Sequence, residues 1–216
     1  MNTRGMVRGM ITVGLVLAAA MASAFVAAAS SFDRGSGSST TSGKGVTASW
    51  SAKASDGTVK SLVSVSRNWY DVNVASVGKS QAGVCKNFTP TFSGTAHIQS
   101  VLILNGELRA DSQGFWKVPG GTASADLWQL LQVGSTMNKS GIMFVASTIG
   151  LPHAWTANAK QVGMNVTSSV TKGRVVEICA GIMTNASVML GGGTAISDFS
   201  SSRFARSYVK DITLSK

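Results

Sequence analysis

Residues 120–133 read Gly-Gly-Thr-Ala-Ser-Ala-Asp-Leu-Trp-Gln-Leu-Leu-Gln-Val (GGTASADLWQLLQV), and the fold class turns on whether this segment coils or extends. Leu127, Leu130 and Leu131 share one face of a helix, whereas Leu127, Leu131 and Val133 share one face of a strand. The run is too short for length to arbitrate. Its first seven residues recur as Gly192-Gly193-Thr194-Ala195-Ile196-Ser197-Asp198. Each copy follows a stretch of alternating character and precedes one more apolar segment, which divides the chain into halves near Gly94–Gly134 and Gly173–Ser215. If the echo is a duplication, Asp126–Val133 answers to Tyr208–Leu214 and is a strand. Short matches among Gly, Ala, Ser and Thr also arise by chance in a chain with 24 glycines, so both readings of the segment stay open.

Outward from this segment the pattern is β throughout. Tyr70, Val72 and Val74 alternate with Asp71 and Asn73, the mark of a half-buried strand. Val101–Leu104 runs into Asn105-Gly106, a pair that favours a tight hairpin because both positions tolerate positive φ. Ser112-Gln113-Gly114 reads as another turn before Phe115–Val118. Further strand-like runs are Gly141–Ile149, Arg174–Met183 and Ser207–Leu214. Many short strands with regular Gly-containing turns and few prolines predict an all-β sandwich or barrel.

The run Val84–Leu104 (VCKNFTPTFSGTAHIQSVLIL), the two GGTA segments and the closing SYVKDITL of Ser207–Leu214 resemble the jelly-roll sandwiches of secreted and cell-surface proteins. The resemblance spans Val46–Lys216. It implies a two-sheet antiparallel β-sandwich, jelly-roll-like, in an extracellular setting. It implies no functional residues, because such sandwiches host many functions.

The N-terminus has a different character. Arg4 and Arg8 precede an uncharged run from Ile11 to Phe32. A basic flank ahead of an apolar stretch marks export, either as a cleaved signal peptide or as a single membrane anchor over residues 1–32. Ala22-Ser23-Ala24 and Ala27-Ala28-Ala29 offer small residues for cleavage. A run of ~20 residues is also long enough to span a bilayer once. The tract Asp33–Gly45 (DRGSGSSTTSGKG) reads as a flexible Ser/Gly linker at 33–45, with the sandwich domain at 46–216. Under either reading the domain lies outside the cytoplasm, extracellular or at the cell surface.

Charged residues make up 13% of the chain, against ~25% in ordinary soluble domains. Hydroxyls and amides solvate this surface instead. The formal net charge is +10, yet the basic residues are scattered, with Arg203, Arg206 and Lys210 as the one local concentration. That pattern suits loose attraction to a polysaccharide or another anionic surface rather than specific nucleic-acid recognition. Two cysteines in an exported chain predict a disulfide, Cys85 to Cys179, joining neighbouring strands. Closing a loop of ~100 residues contributes up to ~4 to 5 kcal/mol in the chain-entropy model.

Motifs that carry chemistry are few. His97 and His153 have no second ligand at metal spacing, so neither a metal site nor a cofactor is expected. No GxSxG elbow is present. Glu107 and Glu177 are the two glutamates, and Glu177, among Val175, Val176 and Ile178, reads as an outward strand residue rather than a glycosidase acid. Gly191-Gly192-Gly193 lacks the lysine of a phosphate loop. The expectation is therefore non-enzymatic.

Aromatics give the better handle. Of Trp50, Trp69, Trp116, Trp128 and Trp155, Trp116 and Trp155 stand next to turns and are the candidate ligand-binding residues, since an indole face stacks on a sugar. The leading functional expectation is a structural or assembly protein, a filament or envelope subunit. Its residues 33–53, with Val46, Ala48 and Trp50 alternating, would add as a strand to a neighbour's sheet and so mediate self-association. The alternative is a polysaccharide-binding module, and a remote third is a secreted hydrolase built on His97 or His153.

Overall fold

In the computed structural model the described residues are 31–68, 75–113, 121–148, 151–189, 191–200 and 203–216. They form strands β1 (Arg34–Ser42), β2 (Val46–Lys53), β3 (Thr58–Arg67), β4 (Ser76–Phe88), β5 (Gly94–Gln113) and β6 (Thr122–Val133). These are followed by β7 (Thr136–Thr148), β8 (His153–Val170), β9 (Val176–Met189), β10 (Gly192–Asp198) and β11 (Tyr208–Ser215). Side chains alternate in and out along them, which gives two antiparallel sheets one shared apolar layer. Leu102, Leu104 and Leu108 of β5 meet Leu127 and Leu131 of β6 and Ile178 and Ile182 of β9 in that layer, all fully buried. Two polar pairs inside it are satisfied: Ser61 with Thr184 at 2.7 Å, and Gln129 donating to Ser100 at 3.2 Å. The chain is a jelly-roll-like β-sandwich.

The first sheet has the order β1-β4-β9-β6-β7. In the second, β2 lies beside β3 and β8 beside β5. Between β3 and β5, β10 and β11 lie end to end, β10 along Glu107–Gln113 and β11 along His97–Ile103. The segment at 126–133 is thus a strand, continuous with the first GGTA copy. The two copies fall in different sheets.

Asn105-Gly106 does not turn the chain; β5 runs through it with a bulge between Leu104 and Gly106. The pair is needed there for another reason. Asn105 accepts from Ala159 N through Oδ1 and donates Nδ2 to Arg206 O, while its backbone N–H donates to Ser207 Oγ. Ala159 stands at φ 48°, so Asn105 holds the matching irregularity of β8. At Gly106 a Cβ would lie 2.3 Å from Asp198 O and 2.5 Å from the Phe199 ring. Ser112 and Gln113, read as a turn, are the last residues of β5.

Residues 33–45 are not a free linker. Arg34–Ser42 is the edge strand of the first sheet, in register with β4 from Arg34 opposite Cys85 to Ser42 opposite Val77. Gly35 and Gly37 are glycine because β2 passes close beneath: a Cβ would sit 2.6 Å from Ala52 O and 2.3 Å from the Trp50 ring, respectively. Within residues 33–53, Arg34–Ser42 pairs with β4 and Val46–Lys53 with β3 of the same chain, each along one side. Phe32, placed within the export segment from sequence, is only 7% exposed and packs into the core. Residues 1–30, with the apolar run and both small-residue sites, lie outside the described residues, as do Trp69, Tyr70–Val74 and Phe115–Val118.

Candidate functional site

The outer face of the first sheet carries a candidate binding surface. Its outward residues fall into rows across the strands, fixed by the registers of β1, β4, β9, β6 and β7. One row is Thr40, Lys79, Asn185, Asp126, Phe144. The next is Ser38, Gln81, Met183, Trp128, Gly141. A third is Ser36, Gly83, Gly181, Leu130, Lys139, and a fourth is Arg34, Cys85, Cys179, Gln132, Met137.

Trp128 is the centre of this face. Its Nε1 donates to Asp126 Oδ1 at 2.8 Å, and Asn185 Nδ2 donates to the same oxygen. The six-membered ring leans over Gly141, where a Cβ would come within 3.3 Å of it. Glycine at 141 thus lets the indole lie along β7, half-buried. Phe144, one row away, is 60% exposed. Burial pushes the Asp126 carboxyl above the usual aspartate range, opposed by the hydrogen bonds from Asn185 and Trp128.

Beside Trp128 lies a shallow, solvent-open cleft, lined by Ser36, Gln81, Gly83, Leu130, Gln132, Met137, Cys179 and Gly181 among others. Its floor is low because β4 and β9 approach too closely for side chains: a Cβ on Gly181 would stand 2.1 Å from Ala82 O, and one on Gly83 2.9 Å from Ala180 O. The Cys85–Cys179 disulfide flanks this floor, with a Cα–Cα distance of 3.9 Å between directly opposed residues. The bridge joins neighbouring strands, as expected, within one sheet. Beyond it Arg34 holds Glu177 through two hydrogen bonds of 2.7 and 2.6 Å, and this contact keeps the Glu177 carboxyl below its usual range. The two sulfurs and a Glu177 oxygen lie within 4.8 Å of one another, but both sulfurs are consumed by the disulfide, which leaves no thiolate for a metal.

The residues singled out from sequence fare differently. Trp116 lies outside the described residues. Trp155 is not in a loop: it belongs to β8, opposite buried Leu108, and packs partly against the core with Lys160 Nζ 5.0 Å from its ring centre. Such a ring is a capped edge of the core rather than a platform. His97 and His153 are exposed on β5 and β8, and no hydrogen bond joins either to a serine or carboxylate among the described residues. Reasoning from sequence passed over Trp128 and Phe144. The signal was present, since a strand with Leu127, Leu131 and Val133 inward sends Asp126 and Trp128 outward together.

No family model matches the chain, and no curated protein does. Among solved structures it is similar to a carbohydrate-binding module in complex with β-1,4-galactotriose, at 10% identity over 83% of this chain and 88% of that one, with a TM-score of 0.20. It is also similar to the xylan-binding domain of a Paenibacillus barcinonensis protein, at 11% identity over 80% and 86% of the two chains and a TM-score of 0.18. A module described for specific mannan recognition gives 11% identity, 79% and 88% coverage and a TM-score of 0.21. At such identities and TM-scores the likeness identifies no ligand for this chain.

Proposed function

We propose that this domain is a non-catalytic glycan-binding module of an exported protein, and that it binds polysaccharide on the outer face of the first sheet. The observation that carries the reading is the Trp128 indole, laid over Gly141 and fixed by Asp126. A flat aromatic ring stacks on the apolar face of a sugar, and a fixed ring loses little entropy in doing so. Around it stand amides and hydroxyls of the kind that exchange hydrogen bonds with sugar hydroxyls: Gln81, Gln132, Ser36 and Ser38. Lys79 and Lys139 make no ion pair among the described residues, so the face also accommodates anionic polymers.

Export rests on the basic-then-apolar N-terminus and on a disulfide, which persists in oxidising compartments. Cleavage after either small-residue site leaves Phe32 in the mature chain, where its place in the core requires it. The test is retention of the domain by a panel of neutral and acidic polysaccharides in affinity gels, with Trp128→Ala alongside. Retention by at least one polymer, lost in the variant, supports the reading. Equal retention of both proteins, or of neither, overturns it.

A further inference from the structure

Along β7, at the edge of the first sheet, a bulge decides which side chains face outward. Lys139 stands opposite Leu130, Gly141 opposite Trp128 and Phe144 opposite Asp126, with Ile142 as the extra residue. Strict alternation from Lys139 and Gly141 would send Met143 outward and Phe144 into the core. The bulge reverses this: Ile142 and Met143 pack against the core, and Phe144 stands 60% exposed on the face of Trp128. Re-aiming one side chain is what such a bulge does. Since the Trp128 ring lies over Gly141, the outer face of β7 reads Phe144, indole, Lys139 in a line. Measured on β6 from Asp126 to Leu130, the line is about 13 Å long, in two steps of about 7 Å. Lys139 is exposed and makes no ion pair among the described residues. Asp126, the one carboxylate in the four rows, lies on the Phe144 side of the indole and is engaged by Trp128 and Asn185.

We propose that this line takes an acidic, uronate-containing glycan lying along β7, with sugars stacked on Phe144 and Trp128 and a uronate carboxylate at Lys139. The proposal rests on the reading of this face as glycan-binding and adds to it the class of sugar and the direction of the chain. A uronate has an apolar ring face and a carboxylate at its rim. An aromatic ring and a cation one step apart meet both parts of it. A neutral sugar leaves the charge of Lys139 unanswered. Phe144, at the far end from Lys139, gains a partner only from a chain long enough to reach past the indole.

Calorimetric titration of the intact protein with oligomers of galacturonate, mannuronate and hyaluronan, and with their carboxyl-reduced counterparts, decides the matter. At low salt the best acidic series is expected to bind about threefold or more tighter than its reduced counterpart. That advantage shrinks as salt is raised. Lys139→Met is expected to remove most of it, and Lys79→Met, which lies off the line, to leave it. Phe144→Ala is expected to weaken the hexasaccharide about threefold or more and the disaccharide less. Phe144→Leu, which keeps the bulk and loses the flat ring, is expected to do the same. Equal binding of acidic and reduced oligomers overturns the uronate assignment, and equal losses in Lys139→Met and Lys79→Met overturn its placement at Lys139. Unchanged hexasaccharide binding in both Phe144 variants overturns the direction along β7. Each of these results leaves the glycan role of the face intact where Trp128→Ala still abolishes retention. Failure of every oligosaccharide and every polymer to bind overturns both readings.

Discussion

Trp128 Nε1 and Asp126 Oδ1 are joined at 2.8 Å between residues two apart on one strand. Neighbours of this kind on one face of a strand point the same way, so Asp126 sits beside the indole and fixes its tilt. The ring's orientation is thereby set before any ligand arrives. Trp128→Ala is expected to weaken polysaccharide binding by more than about tenfold, or ~1.4 kcal/mol. Asp126→Ala is expected to cost less, because the ring remains but is free to move. Affinity gels give both values, and a Trp128→Ala protein that binds as tightly as the parent contradicts the assignment.

The two carboxyls of this face respond to pH in opposite directions. Burial raises the Asp126 pKa above its ordinary value of 3.8, so in the folded chain it holds a proton more tightly than in the unfolded one. Its contribution to stability therefore falls as pH rises through the window above 3.8. Glu177, held by Arg34, is lowered below its ordinary value of 4.5. Its contribution is complete above that value and is lost as pH falls through the folded pKa. Melting curves from pH 3 to pH 7 are expected to show a steeper acid loss in Asp126→Asn and a shallower one in Glu177→Gln than in the parent. Identical slopes in all three proteins would remove both assignments.

Residues 33–45 were the part of the domain least legible in the sequence. Ser, Thr and Gly dominate them, and composition alone says they have nothing to bury. What orders β1 comes from elsewhere in the chain: the ladder with β4, the closeness of Ala52 and Trp50 to Gly35 and Gly37, and Glu177 at one end. None of these partners adjoins the tract in sequence. By contrast, the inward set of Leu127, Leu131 and Val133 was visible at once, because strand alternation is a local property. The same alternation held Trp128, although turn proximity drew attention to Trp116 and Trp155 instead.

Removing residues 33–45 is therefore expected to destabilise the domain rather than trim a spacer. The loss exposes β4 as a new edge and takes away Arg34, the partner of Glu177. Thermal unfolding and proteolysis of the shortened protein provide the check. An unchanged melting temperature would restore the tract to the role of linker.

Asn105 and Gly106 hold the point where β10 gives way to β11 beside β5. Asn105→Ala removes the side-chain acceptor for Ala159 N and the donor to Arg206 O. At about 1 kcal/mol for each hydrogen bond, and more where a buried group is left unpaired, the expected loss is about 2 to 4 kcal/mol. Gly106→Ala places a methyl against Asp198 O and Phe199 and is expected to cost about 1 to 3 kcal/mol. Urea unfolding measures both. A hairpin at this pair would instead make Asn105→Ala nearly neutral.

The disulfide contributes to stability mainly through the chain it closes. Cys85 and Cys179 are 94 residues apart in sequence, and the bridge denies the unfolded chain the conformations in which they separate. In the folded state the two strands are already held by β4–β9 hydrogen bonds on both sides of the bridge, from Ser76 opposite Val188 to Phe88 opposite Val176. The fold is therefore expected to survive its loss. Cys85→Ala with Cys179→Ala is preferable to serine, since Cys85 is fully buried and a hydroxyl there would need a partner. The double variant is expected to lose about 2 to 4 kcal/mol, while its far-ultraviolet spectrum keeps the β signature. Its glycan affinity is expected to fall as well, because Cys179 lines the cleft beside Trp128. A double variant as stable as the parent contradicts the chain-entropy account, and one that cannot fold shows that the β4–β9 ladder depends on the bridge.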